Sequence, residues 1–390
     1  MSKKRVLCLS NGHGEDQIAA RIVEALLAYE VEILALPIVG EGNIYRRMGI
    51  EIVVPTRTMP SGGFIYMDAR EFFKDLRGGL GKLTWMQWQT IRRLAPQCDL
   101  VLAVGDIVVM ALAFFGSAPF AFVGTAKSDY YLGGKSSDYT VLEKWLLTRP
   151  HCRAVFPRDA LTAHNLKTDI PRAIYLGNPM MDRLEPSADH PGSPPNTTTI
   201  VLLPGSRAPE AYRNLGQMLD AVSCLPETLH GKSLRFLCAL AGSLSDEELA
   251  NSRPQWHLQD STLQSENCKV ELRKDSFADC IHGADLAIAM AGTAAEQCVG
   301  LGMPVVTMPG DGPQFTYRFA EAQTRLLGES IQLVTDGSQA VAQRIRDILA
   351  DPQLQARIRI NGEARMGQPG AASRIAEYLV GLMEKADFHT

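Results

Sequence analysis

The sequence predicts an α/β protein made of two doubly wound, Rossmann-like domains facing across a cleft. Three observations carry this expectation. Apolar strands alternate with helical patterns almost from end to end, the rhythm starts twice, and a polar, proline-rich stretch separates the two runs. The length of 390 residues exceeds what one ordinary core takes and suits two domains.

In the first run, apolar strands fall at 5–9, 31–36, 50–54, 99–104, 119–123, 153–156 and 173–176. Between the first two, Ile18, Ile22, Val23, Leu26 and Leu27 keep a 3.6-residue stripe that predicts a helix over 16–29. The second run places strands at 199–203, 234–240, 268–272, 284–290, 303–307 and 331–334. Residues 183–198 are polar, rich in proline and without periodicity, the mark of a linker. The expected organisation is a first domain over 1–182, the linker, a second domain over 199–368, and a helix over 369–390 placed to return to the first domain. Doubly wound sheets bind ligands at the carboxyl ends of their strands, so the site is expected in the cleft.

Composition narrows the function. A net charge of −4 argues against a general nucleic-acid binder, and 46% hydrophobic with 21% charged residues is ordinary for a soluble protein. The eight cysteines are scattered without a Cys-x-x-Cys pair, which favours buried, reduced thiols over a disulfide frame or a zinc site. The start, Met-Ser-Lys-Lys-Arg, leads directly into a short strand, and no run of ~18 apolar residues exists; a cytoplasmic protein is expected. Gly-x-Gly-x-x-Gly is absent after the first strand and Gly-x-Ser-x-Gly is absent altogether, against a dinucleotide oxidoreductase and a nucleophile-elbow hydrolase. There is no Asp-x-Asp pair, and His151, His164, His190, His230, His257, His282 and His389 lack metal-ligand spacing, so no metal or other cofactor is expected.

Four segments carry chemistry. Ser10-Asn-Gly-His-Gly-Glu-Asp16 ends the first strand and sets a histidine and two acids at the mouth of the sheet. His13 is a candidate general base, with Glu15 or Asp16 to orient its ring; the plainer alternative is a solvated His13 and an Asp16 helix cap. Asp99-Leu-Val-Leu-Ala-Val-Gly-Asp106 ends a strand in a carboxylate, which either caps the following helix or works chemically. Ile200-Val-Leu-Leu-Pro-Gly-Ser-Arg207 and Ala291-Gly-Thr-Ala-Ala-Glu-Gln297 each follow an apolar strand. Such strand–turn–helix junctions offer free backbone N–H groups and a positive helix end to phosphate. Arg207 adds a permanent charge suited to phosphate, and the pair of turns points to a bound diphosphate.

These residues, with Glu210 after Arg207 and Leu176-Gly-Asn-Pro-Met-Met-Asp182, resemble lipid-A-disaccharide synthase and its relatives over roughly residues 5–382. Those are inverting glycosyltransferases of the GT-B fold. The resemblance implies transfer of a GlcNAc-type sugar from a UDP-sugar donor to a lipid or lipid-linked acceptor at the cytoplasmic membrane face, without a metal. The first domain would bind acceptor and the second the nucleotide sugar. It implies that Ser206, Arg207 and the turn of Gly292, Thr293 and Ala294 hold the diphosphate and that Glu296 binds ribose or sugar hydroxyls. Asp16 matches the acid closing the family's first loop, and Asp106 an acid proposed as base. Gly14, Glu15, Gly205, Glu210, Gln297 and Gln314 complete the expected substrate-binding set. The first loop of these synthases lacks a histidine; His13 is similar instead to the His-bearing first loop of other lipid-acting GT-B enzymes. Two further readings stay open, a UDP-sugar 2-epimerase-like enzyme and a non-catalytic lipid- or nucleotide-binding relative.

Residues 64–94 suggest a partner surface. Phe72, Phe73, Leu76, Leu80 and Leu83 keep helical spacing, Trp85, Met86, Trp88 and Ile91 follow, and six basic residues stand against three acids. Aromatics beside basic residues suit an interfacial helix on anionic lipid, with Gly78, Gly79 and Gly81 expected to break it into a flap; the alternative is an ordinary helix with its tryptophans in the core.

Overall fold

Six strands form the sheet of the first unit: β1 (Arg5–Asn11), β2 (Glu32–Val39), β3 (Glu51–Ile52), β4 (Leu100–Gly105), β5 (Phe120–Gly124) and β6 (Cys152–Phe156). All are parallel, in the order β3-β2-β1-β4-β5-β6. They come from a computed structural model that describes residues 3–54, 80–134, 136–188, 194–250 and 253–387. The chain divides into one unit of Met1–Asp182 with Gln368–Thr390 and another of Arg183–Gly367.

The strands of the first unit are nearly continuous apolar runs because both faces are covered, as in other parallel sheets. Leu7, Leu9, Val101, Ala103, Phe120 and Phe122 share one core with Ile91, Met110 and Leu146. Those three residues belong to the helices Leu80–Leu94, Ile107–Phe115 and Val141–Leu147. The helix His13–Leu27 packs instead against Ala371–Asp387. Asp182 fixes the start of that C-terminal helix, its carboxylate accepting from the backbone N–H groups of Gly370, Ala371 and Ala372.

The second unit contains β7 (Thr197–Leu203), β8 (Thr228–Leu229), β9 (Lys232–Leu240), β10 (His257–Gln259), β11 (Thr262–Gln264), β12 (Lys269–Lys274), β13 (Leu286–Ala289), β14 (Val305–Thr307) and β15 (Ile331–Leu333). Its order is β10-β11-β12-β9-β7-β13-β14-β15, with β8 antiparallel beside β9. In both sheets the strand order reverses once, between the parallel neighbours β1 and β4 and between β7 and β13. The carboxyl side of such a reversal is where open α/β sheets form their ligand crevice.

Several expectations are corrected. Residues 173–176 make no strand; Ala173 only bridges Val155. The strand expected over 50–54 shrinks to Glu51–Ile52, and the first helix starts at His13 rather than residue 16. The hairpin β10–β11 escaped the apolar pattern because His257, Gln259, Thr262 and Gln264 are polar. Its signal lies in the two-residue turn, where Asp260 and Ser261 both have positive φ, at 47° and 56°, as a twist-matched hairpin turn requires. Gly81 does not interrupt a helix but lies inside Leu80–Leu94. Residues 64–79, with Phe72 and Phe73, lie outside the described residues.

Candidate functional site

In the first unit the site residues gather where β1 and β4 end. The last residue of β1, Asn11, turns its amide to Asp106 at the end of β4, with Nδ2 donating to Oδ1 at 2.9 Å. The same oxygen accepts from the Val108 N–H at 2.9 Å, so Asp106 is the N-cap of the helix Ile107–Phe115. Gly105 before it has φ of +143°, and a Cβ there would stand 3.3 Å from both Asn11 Cβ and Val109 Cγ2. Glycine is therefore what lets the two loops close on each other. Burial raises the Asp106 pKa from its ordinary value, against the lowering effect of the Val108 and Asn11 hydrogen bonds.

Glu15 continues this edge. Thr125, just past β5, donates its hydroxyl towards Glu15 Oε1 at 3.4 Å, and Arg158, beyond β6, donates to the Thr125 carbonyl at 3.0 Å. Burial raises the Glu15 pKa, the Asp106 charge adds to the rise, and Arg158 opposes it. His13 is exposed at the first position of its helix. Its side chain makes no hydrogen bond or ion pair among the described residues. The expected orientation of His13 by Asp16 is corrected: Asp16 is buried and turned inward, accepting from Ser10 Oγ at 2.5 Å. Ser10 in turn pairs with the Tyr45 hydroxyl at 2.7 Å. Burial lifts Asp16 to about 7. Gly14 is exposed, with open space where a side chain would extend.

The second unit presents three turns at the carboxyl ends of β7, β13 and β14. The first, 204–209, exposes Ser206 and Arg207; Gly205 has φ of +100° and lies close under the Met290 carbonyl. The second opens the helix Thr293–Gly300, with Gly292 as N-cap, Thr293 exposed, and Glu296 and Gln297 buried in its body. The third, 308–316, leads into the helix Tyr317–Leu327 and exposes Gln314.

Each turn is tied down by a buried side chain. Asn214 donates to the Pro204 carbonyl at 2.9 Å. Gln323 donates to the carbonyls of Ala291 and Gly292, both at 3.3 Å. Glu210 accepts from the N–H of Phe315 at 2.6 Å and of Gln314 at 3.1 Å. Glu210 thus faces backbone rather than a ligand, which corrects its expected role in direct substrate contact. Asn11, Thr125, Arg158, Asn214 and Gln323 were not picked out from sequence. Asn11 stands inside the Ser10–Asp16 loop, beside the histidine and acids that mark it; the other four sit in no glycine-rich motif, and their signal is position, past a strand or on the inward stripe of a helix.

No family model matches the chain. In sequence it is similar to the lipid-A-disaccharide synthase of Trichlorobacter lovleyi, 25% identical over 234 residues that cover 54% of this chain and 58% of that protein. The chain therefore spans just over half the length of the curated relatives it matches. In structure it is similar to the calicheamicin glycosyltransferase CalG4, with a TM-score of 0.61, 15% identity and coverage of 98% and 99% of the two chains. It is also similar to the UDP-GlcNAc 2-epimerase from Neisseria meningitidis bound to UDP-GlcNAc, with a TM-score of 0.56, 13% identity and coverage of 98% and 100%. The fold is thus the pair of Rossmann-like units shared by GT-B glycosyltransferases and UDP-sugar 2-epimerases. Within that class, the chain's sequence relatives are the lipid-A-disaccharide synthases.

Proposed function

We propose that the chain is an inverting glycosyltransferase that moves a sugar, GlcNAc-type by preference, from a UDP-sugar to a lipid or lipid-linked acceptor. One observation carries the reading: two phosphate-type turns, Pro204–Arg207 and Gly292–Ala294, stand on the adjacent strands β7 and β13 at the sheet's reversal point. Arg207 and the N–H groups opening the helix Thr293–Gly300 stabilise the departing diphosphate, without a divalent ion. Glu296 serves the ribose or sugar hydroxyls, with Gln297 and Gln314 beside the nucleotide.

The base belongs to the first unit. Asp106 is favoured, because its Oδ1 is fixed by two donors and burial raises its pKa, which makes it a stronger base than an ordinary carboxylate. His13 is the alternative, accessible but held by no side-chain partner among the described residues. In either case the base removes the acceptor hydroxyl proton as the oxygen attacks the anomeric carbon and UDP leaves.

The lipid acceptor draws on the similarity to lipid-A-disaccharide synthases and implies action at the cytoplasmic membrane face. No helix among the described residues is long and apolar enough to cross a membrane. The test is incubation with radiolabelled UDP-GlcNAc, extracted lipid and EDTA. Label passing into the lipid phase, EDTA notwithstanding, supports the reading. A 2-epimerised nucleotide sugar formed without lipid selects the epimerase, the reading favoured by the Neisseria neighbour. Tight UDP binding without turnover selects a non-catalytic relative.

A further inference from the structure

The helices Leu80–Leu94, Ile107–Phe115 and Val141–Leu147 pack side by side on one face of the first unit's sheet. Their inner residues meet ordinary core needs: Ile91, Met110 and Leu147 are fully buried, and Gln87 anchors its helix by donating to the Ile38 carbonyl at 2.8 Å. The outward residues are unusual. Val141 is 86% exposed, Leu142 56%, Trp85 56%, Phe115 54% and Trp145 45%. Phe114 links two of the helices, with ring centroids 5.3 Å from Phe115 and 5.6 Å from Trp145.

The display is rigid. Thr140 and Glu143 form a reciprocal capping box at the start of Val141–Leu147, and Lys127 pairs with the buried Glu143 at 2.9 Å. The cap turns the one acid of these three helices inward and leaves Val141 and Leu142 pointing to solvent. Arginines border these helices. Arg92 lies over the Trp88 ring at 5.2 Å, Arg149 over Trp145 at 4.4 Å, and Arg93 is exposed beside Arg92; Lys144 is paired with Asp169.

We propose that this face docks the first unit on an anionic lipid surface, with Val141, Leu142, Trp145 and Phe115 entering the headgroup boundary and the arginines meeting lipid phosphate. Tryptophan and arginine stacked together suit that boundary, where one side is apolar and the other wet. A second copy of the chain fits less well, because pairing like faces would set arginine against arginine, and the exposed Asp169 is already paired with Lys144. The inference deepens the lipid-acceptor reading, on which it rests for the source of the lipid.

Co-sedimentation of the full chain with vesicles of phosphatidylglycerol and phosphatidylcholine, against phosphatidylcholine alone, tests it, with the UDP-induced thermal shift read on the same samples. Binding is expected with phosphatidylglycerol only and is weakened by salt. It is lost when Val141→Ser, Leu142→Ser and Trp145→Ser are combined. Arg92→Gln and Arg93→Gln each lower vesicle affinity by about fivefold, the effect of one basic residue near an anionic surface. The UDP shift stays unchanged in every variant, so its absence in the unaltered protein counts against the donor reading and not against this face. If the triple variant fails to fold, the arginine variants decide alone. No vesicle binding, equal binding to neutral vesicles, or wild-type binding by the arginine variants overturns the proposal.

Discussion

The Asn11 side-chain amide donates to Asp106 Oδ1 at 2.9 Å, joining the loop after β1 to the loop after β4. Val108 N–H shares that oxygen, so one carboxylate caps a helix and is aimed by it at once. The cap and the charge can be separated. Asp106→Asn keeps an acceptor for both donors and should leave the melting temperature nearly unchanged, since asparagine caps about as well as aspartate. If Asp106 is the base, the same substitution lowers kcat by roughly 10²–10⁴-fold. Asp106→Ala should in addition destabilise by about 1 kcal/mol through loss of the cap, measured by denaturant unfolding.

His13→Ala provides the contrast. The ring has no partner among the described residues to lose, so stability should not move. With Asp106 as base, kcat should fall less than about tenfold, the lower bound of what general base catalysis contributes being near a hundredfold. A larger loss for His13→Ala than for Asp106→Asn in the same transfer assay hands the role to the histidine.

Arg207 is exposed on the first of the three turns in the second unit. UDP at a hundredfold excess over Kd should stabilise the protein by about 2.7 kcal/mol, and more than ADP or UMP at equal concentration. Arg207→Ala should weaken UDP by roughly 1.5–3 kcal/mol, the scale of a hydrogen bond to a charged group, as titration calorimetry would show. Equal shifts from all three nucleotides would remove the donor assignment.

Glu210 separates positioning from contact. Its Oε1 takes the N–H groups of both Gln314 and Phe315. Glu210→Gln keeps that acceptor and should retain most UDP affinity, whereas Glu210→Ala strands two amides at about 1–3 kcal/mol each. Should the glutamine variant lose UDP as fully as the alanine variant, the negative charge itself, not the loop, is what the nucleotide needs.

The features visible in sequence share a cause. Parallel strands buried on both faces write themselves as apolar runs, so β1, β4, β5, β7 and β13 were legible, and so were the glycine turns that follow β7 and β13. The polar β10–β11 hairpin was not, because its stability comes from pairing with β12 rather than from an apolar stripe. At the site, Asp106 could be read both as cap and as base; the cap is present, and it leaves the base role open to the transfer assay. Asp16 was misread because the partner that draws it inward, Tyr45 acting through Ser10, lies 29 residues further along the chain (45 − 16). Asn214 and Gln323 hold turns that the sequence marked, but contacts across the fold leave no local pattern.

Asp16 makes stability depend on pH. It is buried, its Oδ1 accepts from Ser10 Oγ, and Tyr45 closes the chain of hydroxyls at 2.7 Å from Ser10. Burial raises its pKa from 3.8 to about 7 in the folded protein. A raised carboxyl pKa means that the folded state holds the proton more tightly than the unfolded one. Its contribution is therefore fully present below about pH 4, fades as pH rises towards 7, and is gone above that, a change of the order of a few kcal/mol. Glu15 and Asp106, also raised by burial, tilt stability in the same direction. Asp16→Asn cannot titrate, yet it still offers Ser10 an acceptor. Urea unfolding at pH 5 and pH 8 should show the native protein losing more stability across that interval than Asp16→Asn does. Parallel pH profiles for the two proteins would mean that Asp16 does not carry the proton, and the slope would pass to Glu15 and Asp106.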